Sequence, residues 1–388
     1  MKQPELDSFA IAAPGLEAVV TAELRRLGID ATAEPGGSSW HGSLDGLYEA
    51  NLHLRSASRV LVRIARFRAR SFIELERSAR RIRWDMYVTA GRDATLRVTS
   101  RKSRLYHERA IAERFTRWIR EGAGAEAHIA PDDDGEATRG EGETGQLFVI
   151  RFVRDECTVS VDSSGELLHR RGYRQAVAKA PLRETLAAAT LLVSGWRGEV
   201  PLLDPLCGSG TIPIEAALIA RRIAPGLSSS DRRPRSYAFE TWKEFDRNLW
   251  EQTVSTARAR ILPRSSVPIL GSDRDAGAVE AAVANAARAG VVEDVTFRAL
   301  PLSRVEPPPG THPAGLIVVN PPYGVRVGEA KPLRDLYATL GRVARARFSG
   351  WQLTMLSASG DLERQVGREM TELLATSNGG IRVRVVSS

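Results

Sequence analysis

The sequence predicts an α/β chain: a doubly wound parallel sheet in its second half, preceded by a smaller α+β region. Three observations carry this reading. From residue 200 onward, apolar strand-like runs alternate with helical patterns, as parallel strands covered by helices on both faces require. The first of these runs leads into Asp204-Pro205-Leu206-Cys207-Gly208-Ser209-Gly210-Thr211, which reads as strand end, tight glycine turn and helix start. Before residue 165, strand and helix signals mix without that alternation.

Residues 1–65 form one small α+β unit. A short apolar strand is expected over 8–12, then a helix opened by Pro14-Gly15-Leu16-Glu17 and closed by Gly28. Strands follow over 29–33 and 39–44, and a helix over 44–53. Residues 66–165 are Arg-rich, with a helix over 73–82, a strand over 94–99 and a helix over 108–119. The stretch 121–146 is rich in Gly and acids around Pro131-Asp132-Asp133-Asp134-Gly135. It cannot bury enough apolar surface to order itself, so it reads as a mobile surface loop, not as an acidic or metal site. Runs over 147–153 and 157–162 then form a hairpin.

Residues 166–195 are a basic connector and a first helix. Leu168-His169-Arg170-Arg171-Gly172-Tyr173 reads as a linker with His169 at the surface, and Pro181 as the favoured first residue of a helix. In 196–388, strands are expected over 200–204, 267–273, 295–300, 315–320, 351–357 and 381–386. Helices fill 212–222, 276–289 and 333–347, with Asp275 capping the second. An insertion over 225–262 holds a helix near 241–259, in which Trp242, Phe245 and Trp250 form a packing face.

Composition narrows the function. At 43% hydrophobic and 26% charged residues, the chain is an ordinary soluble globular one. No apolar run reaches membrane-spanning length and the first residues do not begin a signal peptide, so the expected compartment is the cytoplasm. Cys157 and Cys207 stand apart, which indicates neither a disulfide framework nor a zinc site; no metal is expected. The net charge of +8 favours a polyanionic partner.

The chemistry gathers at strand ends. In a doubly wound sheet the ligand lies beyond the carboxyl ends of the strands. Asp204 closes the first strand, Asp273 the second and Asn320 the fourth. An acid beside glycines, with no Lys-Ser/Thr pair, argues against a phosphate cradle and suits a ligand with an amino group, such as S-adenosylmethionine. The candidate cofactor residues are Asp204, Cys207, Gly208, Gly210, Thr211, Asp273 and Leu300. An acid at the second strand end can accept both hydroxyls of a ribose.

Asn320-Pro321-Pro322-Tyr323 is the candidate catalytic stretch. The Asn oxygen and a proline carbonyl can accept both hydrogens of one exocyclic amino group. That leaves its lone pair free to attack, and the Tyr ring offers a stacking face. Upstream, Arg101, Lys102, Arg104 and Tyr106 form a basic loop with one aromatic, the pattern that meets RNA phosphates and bases.

These residues resemble the amino-methylating class I S-adenosylmethionine-dependent methyltransferases. Over nearly its whole length the chain is similar to the THUMP-domain RNA guanine-N2 methyltransferases, especially those acting on bacterial 23S ribosomal RNA. The resemblance rests on 9–17, 168–173, 181–188, 202–211, 224–227, 271–273, 320–324 and 348–359. It implies a ferredoxin-like region, a THUMP domain, a Rossmann-like methyltransferase domain, S-adenosylmethionine as cofactor and RNA as partner. It also implies that Asp204 and the turn hold the cofactor, Asp273 its ribose, and Asn320, Pro321 and Tyr323 the base. Such enzymes usually offer an Asp to the cofactor's adenine after the third strand; here Pro301 stands there. In some relatives a further methyltransferase domain follows. This sequence stops at Ser388, which implies a single modification. A tRNA guanine-N2 methyltransferase, a DNA adenine-N6 methyltransferase and an RNA-binding assembly factor without catalysis are the competing readings.

Overall fold

The structure, a computed structural model, describes residues 5–130, 145–175, 182–310, 313–323 and 330–388. Pro181 and Pro131 to Gly135 lie outside them. The first half is built from β1 (Leu6–Ala12), α1 (Glu17–Arg26), β2 (Thr32–Glu34), β3 (Gly37–Gly42), α2 (Leu44–His53) and β4 (Ala57–Arg68). It continues with α3 (Phe72–Ala79), β5 (Asp93–Arg101), α4 (Glu108–Ala123), β6 (Glu126–Ile129), β7 (Gln146–Val153) and β8 (Glu156–Asp162). Among the described residues these strands make one eight-stranded sheet, in the order β2-β3-β1-β4-β8-β7-β5-β6.

The expected boundary at residue 65 falls inside β4, which pairs with β1 on one side and β8 on the other. Valines and aliphatics alternate with Ser and Arg along β4, so one face packs on the helices and the other carries charge. Part of the expected loop over 121–146 is the edge strand β6, which pairs in parallel with β5. Pairing to a formed sheet edge orders a segment whose own composition does not.

The second half begins with α5 (Glu184–Val193), β9 (Leu202–Asp204), α6 (Thr211–Ala220) and α7 (Arg247–Ala259). Then come β10 (Ile269–Asp273), α8 (Ala276–Arg288), β11 (Val295–Ala299), β12 (Gly315–Val319), α9 (Ala330–Arg347), β13 (Trp351–Ser357), α10 (Gly360–Gln365), β14 (Thr371–Asn378) and β15 (Ile381–Ser387). The sheet order is β11-β10-β9-β12-β13-β15-β14, parallel from β11 to β13 and closed by the antiparallel pair β15 and β14. The strand order reverses between β9 and β12, which opens a crevice at their carboxyl ends.

The insertion and the connector both join the halves. The insertion lays its aromatics on α2 and β7: Tyr48 of α2 meets Trp250 edge-on at 5.6 Å, and Trp242 Nε1 donates to Oε1 of Gln146, the first residue of β7, at 2.8 Å. The expected packing face is therefore real, although its helix starts at Arg247; residues 238–241 are a single tight turn. The expected linker is also core. Arg171 and Tyr173 are buried, and both hold Glu215 of α6: Arg171 by an ion pair, Tyr173 by a 2.8 Å hydrogen bond. Arg171 Nη2 donates to the Arg55 carbonyl at 2.6 Å, and Arg55 Nη2 to the Ile223 carbonyl at 2.6 Å. A segment rich in Arg reads as solvated surface in sequence; a buried carboxylate on a distant helix makes it interior.

Candidate active site

The three marked stretches meet. Gly271 of β10 is in register with Asp204, and Leu316 and Ile317 of β12 with Leu202 and Leu203. Asp204, Asp273 and Asn320 therefore stand side by side at the carboxyl ends of adjacent strands. β9 is short and wholly buried, so its terminal carboxylate is carried into the crevice with almost no exposure.

The turn after β9 is held by backbone and by α8. Gly208 and Gly210 adopt φ of +51° and +86°, a region that L side chains rarely enter. A Cβ at Gly210 would lie 2.9 Å from that of Ala282, so α8 needs glycine there to approach. At Gly208 a Cβ would meet nothing within 4 Å, which leaves room beside the turn for a ligand. Cys207 N–H donates to the Ser272 carbonyl at 2.9 Å, and Gly208 N–H to Asp273 Oδ2 at 3.0 Å. Asn285 of α8 donates to the Ser209 carbonyl at 3.0 Å. Asn285 was not among the expected site residues; its only signal is a polar residue in an Ala-rich helix, where it is fully buried. Thr211 starts α6, and Asp275 caps α8 through Gly277 N–H at 2.9 Å, as expected.

Burial, reinforced by the neighbouring Asp273 charge, pushes the Asp204 carboxyl up to about 8. The Leu206 N–H, 3.1 Å from its Oδ1, opposes this only in part. Burial, with Asp204 and Asp273 nearby, also raises the Cys207 thiol well above its ordinary range, so it stays protonated and is no nucleophile. Leu300 follows β11, and its N–H donates to the Asp273 carbonyl at 2.9 Å. Pro301 beside it is exposed and caps a short turn over Leu302–Arg304.

At the end of β12, Asn320 and Tyr323 are part-buried, Pro321 is buried and Pro322 is exposed. The Tyr323 hydroxyl donates to Asn320 Oδ1, and the Asn378 side chain lies within its hydrogen-bonding reach. Burial pushes this phenol up to about 12. The Tyr337 hydroxyl of α9 reaches the Pro322 carbonyl at 3.5 Å.

The basic loop lies elsewhere. Arg101 ends β5; Lys102 and Arg104 are exposed beyond it, and Tyr106 is 65% exposed with its ring 4.0 Å from that of His107. His169 is not the surface histidine that the linker reading expects. It is part-buried and lines a cavity of about 470 Å³, and burial together with Arg183 and three neighbouring arginines lowers its pKa to about 3.

A seven-stranded sheet with this order and an acid-and-glycine turn at its reversal point defines a class I methyltransferase fold. Residues 171–386 match the model of the RMKL-like methyltransferase domain family, to which the chain belongs; residues 7–61 match the RlmL ferredoxin-like domain. The Synechocystis protein slr0064, provisionally named an RNA methyltransferase, is 33% identical over 96% of this chain and 94% of its own. The ribosomal RNA large subunit methyltransferase K/L of Syntrophotalea carbinolica is 36% identical over 98% of this chain. The chain spans about half of that relative, 53% of its length. Among solved structures, SMU.472, provisionally described as a methyltransferase and complexed with S-adenosylhomocysteine, has a TM-score of 0.84 and 30% identity. That match covers 100% of this chain and 98% of the other.

Proposed function

We propose that this protein transfers a methyl group from S-adenosylmethionine to the exocyclic N2 of an unpaired guanine in RNA, and that the RNA is 23S ribosomal RNA. The observation that carries the reading is the convergence of Asp204, Asp273 and Asn320 on one crevice, with Pro321 and Tyr323 beside it. The choice of ribosomal RNA is supported by the family and by the name of the Syntrophotalea relative. The choice of guanine is supported by the resemblance to guanine-N2 enzymes.

The residues present fit the cofactor: the space at Gly208 and the turn's backbone admit it, and Asp273 has lone pairs for ribose hydroxyls beyond the two N–H groups it already accepts. Asp204 suits a cationic ligand. S-adenosylmethionine supplies, when bound, an electrophilic methyl group on a sulfonium sulfur. Asn320 Oδ1 and the Pro321 carbonyl accept the two hydrogens of the base's amine and fix it in plane. The amine becomes cationic on methylation and then loses a proton to water, so no strong base is required. Tyr323 supplies the stacking face. No described helix is long and apolar enough to cross a membrane. A cytoplasmic location is part of the proposal, since a ribosomal RNA substrate would be met there.

The test is methyl transfer from labelled cofactor to total RNA of a strain lacking the gene, with nuclease digestion and mass spectrometry. N2-methylguanosine in 23S RNA is expected. N6-methyladenosine, a carbon-methylated base or a ribose methyl would overturn the reading.

A further inference from the structure

The two faces of the eight-stranded sheet differ. One packs on α1 to α4 through residues such as Val60, Val62, Phe148, Ile150, Phe152 and Val159. The register sets out the other face in rows. Arg63, Ser160, Val149 and Arg97 form one; Arg66, Thr158, Arg151 and Thr99 the next; Arg68, Glu156, Val153 and Arg101 the third. Six arginines thus share three rows with one acid, Glu156, which pairs with Arg66. Arg66, Arg68, Arg101 and Arg151 are exposed. Two further acids, Asp7 and Glu34, sit at the far end against Arg63, at 3.4 and 2.8 Å. The basic loop continues this face past Arg101.

At its other end the face runs into the 470 Å³ cavity, which Arg63, Arg66 and Arg151 line together with His169, Arg183 and Asn378. Asn378, the last residue of β14, is the residue whose side chain reaches the Tyr323 hydroxyl, and Tyr323 touches Asn320. Positive charge therefore extends from the tip of β5 into the cavity, and Asn378 and Tyr323 connect the cavity wall to Asn320.

We infer that this arginine-lined face and the cavity at its end, which the start of α5 walls through Thr185 and Leu186, are the track along which a single-stranded stretch of substrate RNA reaches Asn320. The inference rests on the RNA methyltransferase reading above. Charge complementarity selects the occupant: spaced guanidiniums match a phosphodiester backbone, and side chains between them are short or hydroxylated, so the strand lies close. A duplex is too wide for a cavity of this volume, which suits a nucleotide or two.

The experiment measures binding of a short, unstructured, fluorescein-labelled oligoribonucleotide to the full chain across a salt series. The double variant Arg66→Gln/Arg151→Gln should bind at least about tenfold more weakly. Its log–log salt slope should be shallower by about 1.4, since each single-strand phosphate contact contributes about 0.7. Arg80→Gln/Arg109→Gln, exposed arginines on the helical side, should leave both quantities unchanged. Equal affinity and slope in the Arg66/Arg151 variant, or equal losses in both double variants, would remove the track. Failure of the parent reading looks different: wild-type protein would yield another methylated nucleoside, or none, while the Arg66/Arg151 slope change persisted.

Discussion

Tyr323 donates its hydroxyl hydrogen to Asn320 Oδ1, the oxygen assigned to the amine of the base. That bond takes one of the oxygen's two lone pairs, so an incoming amine competes with the Tyr323 hydroxyl for this acceptor. Replacing Tyr323 with Phe keeps the ring and removes that competition, worth about 0.5–1.5 kcal/mol. The expected outcome is kcat/KM at or a few-fold above wild type, whereas Tyr323→Ala loses about 1–3 kcal/mol of stacking. A Phe variant as poor as the Ala variant would show that the hydroxyl itself takes part in the reaction.

Asn320→Ala should separate rate from binding. Its contribution is orientation of the attacking nitrogen, so single-turnover methylation slows while cofactor and RNA affinities stay close to wild type. Calorimetry and the RNA binding series provide the controls. A variant that fails through weak cofactor binding would place Asn320 in the wrong half of the crevice.

Asp204 should make cofactor binding depend on pH. Its carboxyl is raised by burial and by Asp273, to about 8. An acid raised in the fold favours the protonated form there, so it costs stability as pH climbs from the unfolded value of 3.8 toward 8. A ligand bringing positive charge to Asp204 favours the ionised form and releases a proton on binding. Affinity should therefore rise with pH up to about 8, with proton release visible in calorimetry in two buffers of different ionisation enthalpy. Asp204→Asn should bind more weakly and flatten the profile; an unaltered slope would mean that another group titrates.

Pro301→Asp should tighten cofactor binding. The position caps a short turn with φ of −68° and ψ of 148°, a conformation that Asp adopts readily at a cap. One recovered hydrogen bond to the adenine amine is worth about 0.5–1.5 kcal/mol, a gain of roughly two- to tenfold. No gain, with an intact fold by circular dichroism, would mean that this loop does not face the adenine.

Arg171→Met should destabilise the whole molecule. The Arg171–Glu215 pair is almost fully excluded from solvent, at 1% and 0% side-chain exposure. Removing one partner strands a buried charge, at about 3–5 kcal/mol. Pairing it with Glu215→Leu should restore part of the loss, short of the buried Tyr173 hydroxyl and Arg55 carbonyl that then lose their partners, which denaturant titration of the single and double variants would read directly.

The parts of the fold that were legible are those whose sequence pattern is local. Helix α2 was expected over 44–53 and is found at Leu44–His53, and the alternation after residue 200 gave the parallel strands and the position of Asp204, Asp273 and Asn320. β14 has no signal in the sequence, because Thr371–Asn378 is largely exposed and carries no apolar alternation. β4 is hidden because its arginines look like a solvated run. Their common face exists only once β8, β7 and β5 are set beside it, and register is not a property of one segment. Arg171 and His169 read as linker surface for a similar reason: what buries them, Glu215 and the sheet face, lies far away in sequence.

The sharing of β4 by both parts of the first sheet has a mechanical meaning. A strand hydrogen-bonded along both edges is no joint, so the eight strands move as one plate, about 34 Å across at the usual strand spacing. Cutting the chain within β4 would expose two raw edges rather than free a module. On the track proposed above, such a plate would act as a gauge, and the nucleotide presented to Asn320 would be set by its distance along the strand from Arg66 and Arg151.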